Sequence, residues 1–182
     1  MNILILSIND TLTSPVVRIL FQEISNERKI IGMNVESAGI KSQKFSHTDE
    51  NVASIIGNLG YSFKKEYSPK SLLDNSYLIT WANFIFTLTD KTKELFEINY
   101  GIRRNLYKLT EYAGFPKKNL KNPIRKIKRK PNLAQKVIFG CVDYYDENAK
   151  RKIYDKFGKN AKFYVEKSID RMAGEGLINS YR

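Results

Sequence analysis

Cysteine and histidine are almost missing from the 182 residues, with Cys141 and His47 the single examples of each. One cysteine forms no intrachain disulfide and no cluster of thiolate ligands, which is typical of a reducing compartment. One histidine leaves little for a zinc site or a histidine-based catalytic triad. We therefore expect neither a metal nor a cofactor, and we interpret His47 as a surface loop residue.

Long apolar runs are missing too. The longest are much shorter than the roughly 20 residues with which a helix crosses a membrane. Met1 and Asn2 lead directly into an apolar segment, without the basic region that opens a signal peptide. We therefore expect a cytoplasmic protein with no membrane partner.

Acidic residues are scarce compared with basic ones. The 31 lysines and arginines outnumber the 19 acidic residues, which gives a net charge of +12. Such an excess predicts attraction to polyanions that salt weakens steeply. A generic adaptation of the surface would produce the same composition, so charge alone leaves both interpretations open.

One stretch, residues 117–136, has no acidic residue at all. It holds nine basic residues. Pro116 precedes it and Pro123 and Pro131 lie within it, so we expect much of it to be loop. It is either a contact surface for nucleic acid or an acidic protein, or a solvated face. The polyanion-binding candidates are Lys117, Lys118, Lys121, Arg125, Lys126, Lys128, Arg129 and Lys130.

The order of apolar segments predicts an α/β fold. A chain of this length and 42% hydrophobic content is expected to form one domain, residues 1–182, with a basic insertion at about 117–150 before a C-terminal helix. Predicted strands alternate with predicted helices, which implies a doubly wound domain of four parallel strands with helices on both faces. The predicted strands are 3–6, 30–35, 84–88 and 105–109, and the predicted helices are 15–28, 51–59, one starting at 68, 90–97 and 151–172.

The loop between the first strand and the first helix is the main candidate site. Ser14-Pro15 is typical of a helix start, with Ser14 as the capping residue. A polar loop in this position directs backbone N–H groups at one point and forms an anion cradle. The alternative is a tight connection that serves folding alone. The candidate ligand-binding residues are Ser7, Ile8, Asn9, Asp10, Thr11, Leu12, Thr13 and Ser14.

A series of short motifs supports a family resemblance. Ser7 is followed, after five residues, by Thr13-Ser14-Pro15, and five further motifs come in order: Ser37-Ala38-Gly39, Leu59-Gly60-Tyr61, Ser68–Leu73, Ala82–Thr89 and Leu106–Gly114. In this order the chain resembles the low-molecular-weight protein tyrosine phosphatases, whose superfamily includes the thioredoxin-coupled arsenate reductases. The resemblance covers about residues 1–123 and the C-terminal helix, and it implies their fold.

The same resemblance implies that the catalytic groups are replaced. The family has a nucleophilic cysteine where Ser7 stands, and a serine hydroxyl without assistance stays protonated. It has an arginine that clamps phosphate where Thr13 stands. It has an aspartic acid that protonates the leaving group where Asn122 stands. We therefore expect no catalytic residue for this reaction.

Asp10 also departs from the family pattern, which has asparagine there. A carboxylate about 4 Å from a phosphate dianion would repel it by roughly 1–4 kcal/mol, depending on screening.

Three functions stay open at this point. The first is a catalytically inactive phosphatase homologue that binds a protein or a phosphorylated ligand through the 7–14 loop and the rim around Asn122. The second is binding of nucleic acid or another polyanion by the basic stretch. The third is an active phosphatase of altered chemistry. The sequence leaves the oligomeric state open.

Overall fold

The computed structural model describes residues 1–41, 47–63, 67–123 and 147–178. The predictions for the central part of the basic stretch lie outside these residues. They concern Arg125, Lys126, Lys128, Arg129 and Lys130. The predicted single domain with a basic insertion therefore stays a prediction.

A four-stranded parallel sheet forms the centre of the fold, in the order β2-β1-β3-β4. Apolar residues fill β1 and β3, as expected for parallel strands covered on both faces. The predicted fold class is therefore confirmed. The strands are β1 (Asn2–Ser7), β2 (Asn34–Gly39), β3 (Phe84–Thr87) and β4 (Leu106–Lys108).

Six helices cover the sheet in the described part of the chain. They are α1 (Thr13–Glu27), α2 (Asn51–Asn58), α3 (Tyr77–Trp81), α4 (Asp90–Tyr100), α5 (Leu109–Tyr112) and α6 (Glu147–Gly174). Because successive strand residues face opposite sides, Ile3 and Ile5 pack in the core with α1, α2, α5 and α6. Leu4 and Leu6 pack in the second core, with α3 and α4.

The largest differences from the predicted elements concern β2 and the segment that starts at Ser68. β2 begins at Asn34 rather than residue 30, because pairing with β1 starts at Asn2 opposite Asn34 and leaves Ile31 82% exposed. The helix predicted from Ser68 is wrong. The Gly39 N–H donates to the Lys70 carbonyl at 2.8 Å and the Leu72 N–H donates to the Gly39 carbonyl at 2.9 Å, which holds this segment extended along β2.

None of the described helices is both long and apolar enough to cross a membrane. The predicted cytoplasmic location stays a prediction. Within the described ranges, no three His, Cys, Asp or Glu side chains are grouped so that they could hold a metal ion. His47 is exposed outside any helix or strand, as predicted.

Candidate functional site

A cleft of about 510 Å³ opens beyond the carboxyl ends of β1 and β3, where ligands bind in open parallel sheets. Of the residues that the structure describes, three segments line it: residues 7–13, 88–92 and 119–122. The Leu120 N–H donates to the Leu88 carbonyl at 2.9 Å and joins the last two. The structure therefore brings Ser7, Thr13 and Asn122 together on the walls of one cleft.

The peptide groups of the 7–13 loop are oriented by hydrogen bonds on its outer side. Four of its carbonyl oxygens accept from neighbouring segments or from α1: Ser7 from the Ile40 N–H (3.0 Å), Ile8 from Lys41 (2.8 Å), Thr11 from Asp49 (2.8 Å) and Leu12 from Val16 (3.2 Å). In a trans peptide the N–H points away from the carbonyl, and the described chain has no cis peptide. The N–H groups that follow these carbonyls therefore point away from the neighbouring donors, and the residues that carry them, Ile8, Asn9, Leu12 and Thr13, all line the cleft.

The Ser7 hydroxyl belongs to a chain of hydrogen bonds. Its Oγ lies 2.6 Å from Ser14 Oγ and accepts from the Asp10 N–H at 3.0 Å. The Ser14 hydroxyl donates to Asp10 Oδ1 at 2.7 Å. A hydroxyl has one proton to donate, so Ser7 is the donor to Ser14.

Asp10 lies in the loop with a backbone φ of 52°, a left-handed conformation that aspartate tolerates better than most residues. Its carboxylate is fully buried and accepts from Ser14, from the Tyr67 hydroxyl and from the Lys70 N–H at 2.9 Å. Burial raises its pKa, which these hydrogen bonds partly offset. Tyr67 and Lys70 do not line the cleft. Asp10 itself is among the residues that line the cleft, so the predicted repulsion of a bound anion by its carboxylate stays a prediction.

Tyr67 forms the outer side of this buried network. Its hydroxyl donates to Asp10 and lies 2.7 Å from Ser37 Oγ, and the Arg18 guanidinium stacks 4.5 Å from the centre of its ring. Burial, followed by the nearby charge of Asp10, raises the pKa of Tyr67 well above its usual value, so the phenol stays protonated and remains a donor.

The start of α1 differs from the prediction. The helix begins at Thr13, its N-cap residue is Leu12, and no side chain caps it. The Ser14 hydroxyl bonds to Ser7 and Asp10, so the predicted capping role of Ser14 is wrong. Pro15 is accepted in the first turn because its missing N–H would have no partner within the helix.

The opposite wall of the cleft is fixed by a buried lysine. Lys108 Nζ donates to Asp90 Oδ1 at 2.5 Å and to the Pro116 carbonyl at 2.6 Å, and Lys108 is 4% exposed. The Asn119 side chain donates to Asp90 Oδ2 at 2.7 Å and accepts from the Asp90 N–H at 2.8 Å. The bond from Lys108 holds the pKa of Asp90 below its usual range. The wall carries an ion pair in which the charge of Asp90 is neutralised.

Lys91 and Lys121 add positive charge at the rim. Both are exposed, both line the cleft, and neither forms a salt bridge with any residue that the structure describes. Of the predicted polyanion-binding residues that the structure describes, Lys121 lines the cleft. Lys117 and Lys118 are exposed outside it.

Sequence reasoning missed several residues of the site. Asp90 lies two residues beyond the carboxyl end of the predicted parallel strand 84–88, and this position was a usable signal. Thr89 is the N-cap of α4 and accepts from the Thr92 N–H at 3.1 Å, a Thr-x-x-Thr pattern also visible in the sequence. Lys108 and Tyr67 gave no local signal, because their partners lie far away in the chain.

The comparisons with known proteins bear on the fold. No protein-family model and no curated protein matches the sequence. Solved structures do match. A mutant of the YwlE arginine phosphatase with a phosphorylated active-site serine has a TM-score of 0.72 at 17% identity, over 95% of this chain and 96% of that one. This chain has the low-molecular-weight protein tyrosine phosphatase fold.

Two further structures carry the same result. A low-molecular-weight protein tyrosine phosphatase from Bacillus subtilis has a TM-score of 0.71 at 16% identity, with 96% of this chain and 99% of that chain covered. A low-molecular-weight phosphotyrosine phosphatase from Vibrio cholerae O395 has a TM-score of 0.72 at 11% identity, with 97% and 99% covered. The fold implied by the sequence motifs is therefore confirmed.

Proposed function

We propose that this protein is a catalytically inactive phosphatase homologue that binds a phosphorylated ligand, on a protein or free, in the cleft. The observation that carries the proposal is the placement of Ser7, Thr13 and Asn122 on the walls of one cleft in a phosphatase fold. These are the positions where the family resemblance expects the nucleophile, the phosphate clamp and the acid.

The binding half of the proposal is supported by the polarity of the cleft. Backbone N–H groups of the 7–13 loop and the N-terminus of α1 favour an anion. Lys91 and Lys121 add positive charge at the rim, while the carboxylate of Asp10 accepts hydrogen bonds within the protein and Asp90 is paired with Lys108. The balance of these charges favours an anionic ligand over a neutral one.

The inactive half is supported by the chemistry of the three replacements. The Ser7 oxygen holds its proton near neutral pH, where a cysteine thiolate would be ionised. The Thr13 side chain is neutral and short, so it gives no bidentate clamp on the transferring group. Asn122 has no proton to give to a leaving alkoxide or phenolate. Repeated turnover of a phosphate ester would require all three functions.

One structural neighbour supports the idea that a serine in this kind of loop is compatible with phosphate binding. The YwlE arginine phosphatase mutant has a phosphorylated serine in its active site. We infer that Ser7 is likewise compatible with a phosphoryl group in this loop.

Titration calorimetry with orthophosphate tests the binding half, at constant ionic strength with chloride as the competing anion. We expect saturable binding that Lys121→Ala weakens by about fivefold, which is the loss of roughly 1 kcal/mol of attraction from one nearby charge. Lys117→Ala is the matched control, since this exposed lysine lies outside the cleft, and should leave the affinity unchanged. Heat no different from that of sodium chloride would contradict the proposal.

Binding of nucleic acid by residues 117–136 remains a second prediction, based on the net charge of +12. It requires binding of mixed DNA or RNA that persists at physiological salt, because nonspecific charge attraction weakens steeply there. Altered phosphatase chemistry, the third possibility, requires turnover of p-nitrophenyl phosphate above background at high protein concentration.

A further inference from the structure

The Ser7 hydroxyl is connected by hydrogen bonds to a group that can accept its proton, which its position in the sequence alone does not reveal. Ser7 donates to Ser14, and Ser14 donates to the buried carboxylate of Asp10, at oxygen–oxygen distances of 2.6 and 2.7 Å. Both distances are those of normal to short hydroxyl hydrogen bonds. A continuous path therefore leads from the Ser7 proton to a carboxylate.

The Ser7 oxygen keeps a lone pair for attack. A hydroxyl oxygen has two acceptor positions, and the Asp10 N–H occupies one of them at 3.0 Å. Ser7 lines the cleft, whereas Ser14 is fully buried behind the loop. An electrophile that sits in the cleft is therefore next to Ser7, whereas Ser14 is not among the described residues that line the cleft.

We propose that Ser7 is a phosphoryl acceptor, with Asp10 taking its proton through Ser14, and that it is phosphorylated once by an acyl phosphate bound in the cleft. The inference rests on the proposed function, since it needs a loop that seats a phosphoryl group. Asp10 acts through Ser14 and is in this sense a positioning residue.

The transfer balances without a further reactant. Ser7 Oγ forms a bond to phosphorus as the bond from phosphorus to the acyl oxygen breaks, and the electron pair of that bond leaves with the carboxylate. The Ser7 proton passes to Ser14 Oγ while the Ser14 proton passes to Asp10 Oδ1. The products are phosphoserine, a free carboxylate and a protonated Asp10.

The absent acid decides the class of donor. Asn122 stands where the family resemblance expects an aspartic acid, and it cannot protonate a leaving group. A phenolate or alkoxide leaves poorly without a proton, whereas a carboxylate, with a pKa of about 4, leaves as a stable anion. An acyl phosphate therefore suits this cleft better than a phosphate ester. Hydrolysis of the phosphoserine ester that forms needs a base that activates water on the side of the departed carboxylate, and Asn122 does not supply one, so we expect the ester to persist.

The environment of Asp10 suits a proton acceptor whose basicity is raised. The described titratable or charged groups near its carboxylate are few. Tyr67 donates to it, Arg18 stacks on the Tyr67 ring, and Lys70 reaches it only by its N–H, since the Lys70 ammonium is paired with Glu36 at 2.7 Å. Burial is the largest influence on the carboxyl and raises its pKa above the usual value.

Intact-mass spectrometry after incubation with acetyl phosphate tests the proposal, with peptide sequencing to locate the label. We expect the full-length protein to gain the mass of one phosphoryl group, on Ser7, and Ser7→Ala to gain none there. Asp10→Asn should slow the labelling by about 100-fold, the usual contribution of a general base. The ratio of the wild-type labelling rate to the Asp10→Asn labelling rate should rise with pH, because Asp10 accepts a proton only when it is ionised. The titration of acetyl phosphate affects both proteins equally and cancels in this ratio.

The alternatives are separable. Asparagine retains the polar shape of Asp10, and thermal unfolding of each variant shows whether it is folded. An unlabelled Ser7 in the wild-type protein, or a wild-type to Asp10→Asn ratio that does not change with pH, would overturn the inference. If orthophosphate binds in calorimetry while Ser7 stays unlabelled, this inference fails and the proposed function stands. If orthophosphate does not bind either, both fail.

Discussion

The hydroxyl of Tyr67 donates a hydrogen bond to the carboxylate of Asp10, 57 residues before it in the chain. Together with the bond from the Lys70 N–H, it attaches the 67–70 segment to the back of the cleft loop. Asp10 in turn supports Ser14 and, through it, Ser7. The position of the Ser7 hydroxyl therefore depends on the 67–70 segment, which does not line the cleft.

Replacing Tyr67 with phenylalanine removes one donor from a fully buried carboxylate. We expect the free energy of unfolding to fall by about 1–3 kcal/mol, as when a buried polar group loses a partner. Urea denaturation measures this change. Tyr61→Phe is the matched control, because the Tyr61 hydroxyl donates to Glu27 at an exposed position, and it should cost much less. Equal losses in the two variants would contradict the role given to Tyr67.

The raised pKa of Asp10 predicts a specific dependence of stability on pH. A carboxyl whose pKa is higher in the folded state binds its proton more tightly there, so protonation stabilises the fold. This contribution is complete below the usual pKa of 3.8 and is lost as pH rises through the folded pKa. The unfolding free energy of the wild-type protein minus that of Asp10→Asn should therefore fall with rising pH. An increase over the same interval would contradict the burial argument.

The central sheet and α1 were predictable from the sequence because local patterns determine them. An uninterrupted apolar run marks β1, and periodic apolar residues mark α1. The position of β2 was not predictable from the sequence. Ile30 and Ile31 are as apolar as a strand requires, and only pairing with β1 selects residues 34–39. The 68–73 segment has a helix-start pattern, but bonds to Gly39 outweigh that local preference.

The candidate site was predictable in part for the same reason. Ser7, Thr13 and Asn122 follow from motif spacing, and the structure places all three on the cleft. The direction of the Asp10 side chain depends on a left-handed backbone and on Tyr67, neither of which a local pattern reveals.

Lys108 holds the cleft wall that residues 88–92 and 119–122 form, and we expect that wall to become more mobile without it. Lys108→Met keeps the bulk of the side chain but removes its bonds to Asp90 and to the Pro116 carbonyl. We expect the Leu120 N–H, bonded to Leu88, to exchange with solvent roughly tenfold faster, since its segment loses that tether. Hydrogen exchange followed by mass spectrometry measures this rate.

The matched control for that experiment is Lys93→Met. Lys93 also pairs with a carboxylate, that of Glu111 at 3.4 Å, but on the exposed surface, where such pairs contribute little. Unchanged exchange at Leu120 in Lys108→Met would show that the wall is held by other contacts.

The close packing of α6 on α2 requires glycine at position 158. A Cβ at this position would lie 2.9 Å from Ile55 Cγ2 and 3.3 Å from Leu59 Cδ1, and the β-branched Ile55 has little freedom to move away. Gly158→Ala should lower stability by about 1–3 kcal/mol despite the better helix propensity of alanine. In contrast, Gly57→Ala meets no atom within 4 Å and should stabilise the fold by up to about 1 kcal/mol. Thermal or urea unfolding of both variants decides the matter.

Phosphorus NMR of p-nitrophenyl phosphate with the full-length protein tests the central claim, binding in the cleft without turnover, in one measurement. The account predicts that the ester resonance shifts or broadens in a saturable way, that orthophosphate reverses the effect, and that no free phosphate accumulates. An ester resonance that stays unaffected would contradict binding. Orthophosphate that accumulates with time above the level in a protein-free sample would contradict the loss of catalysis.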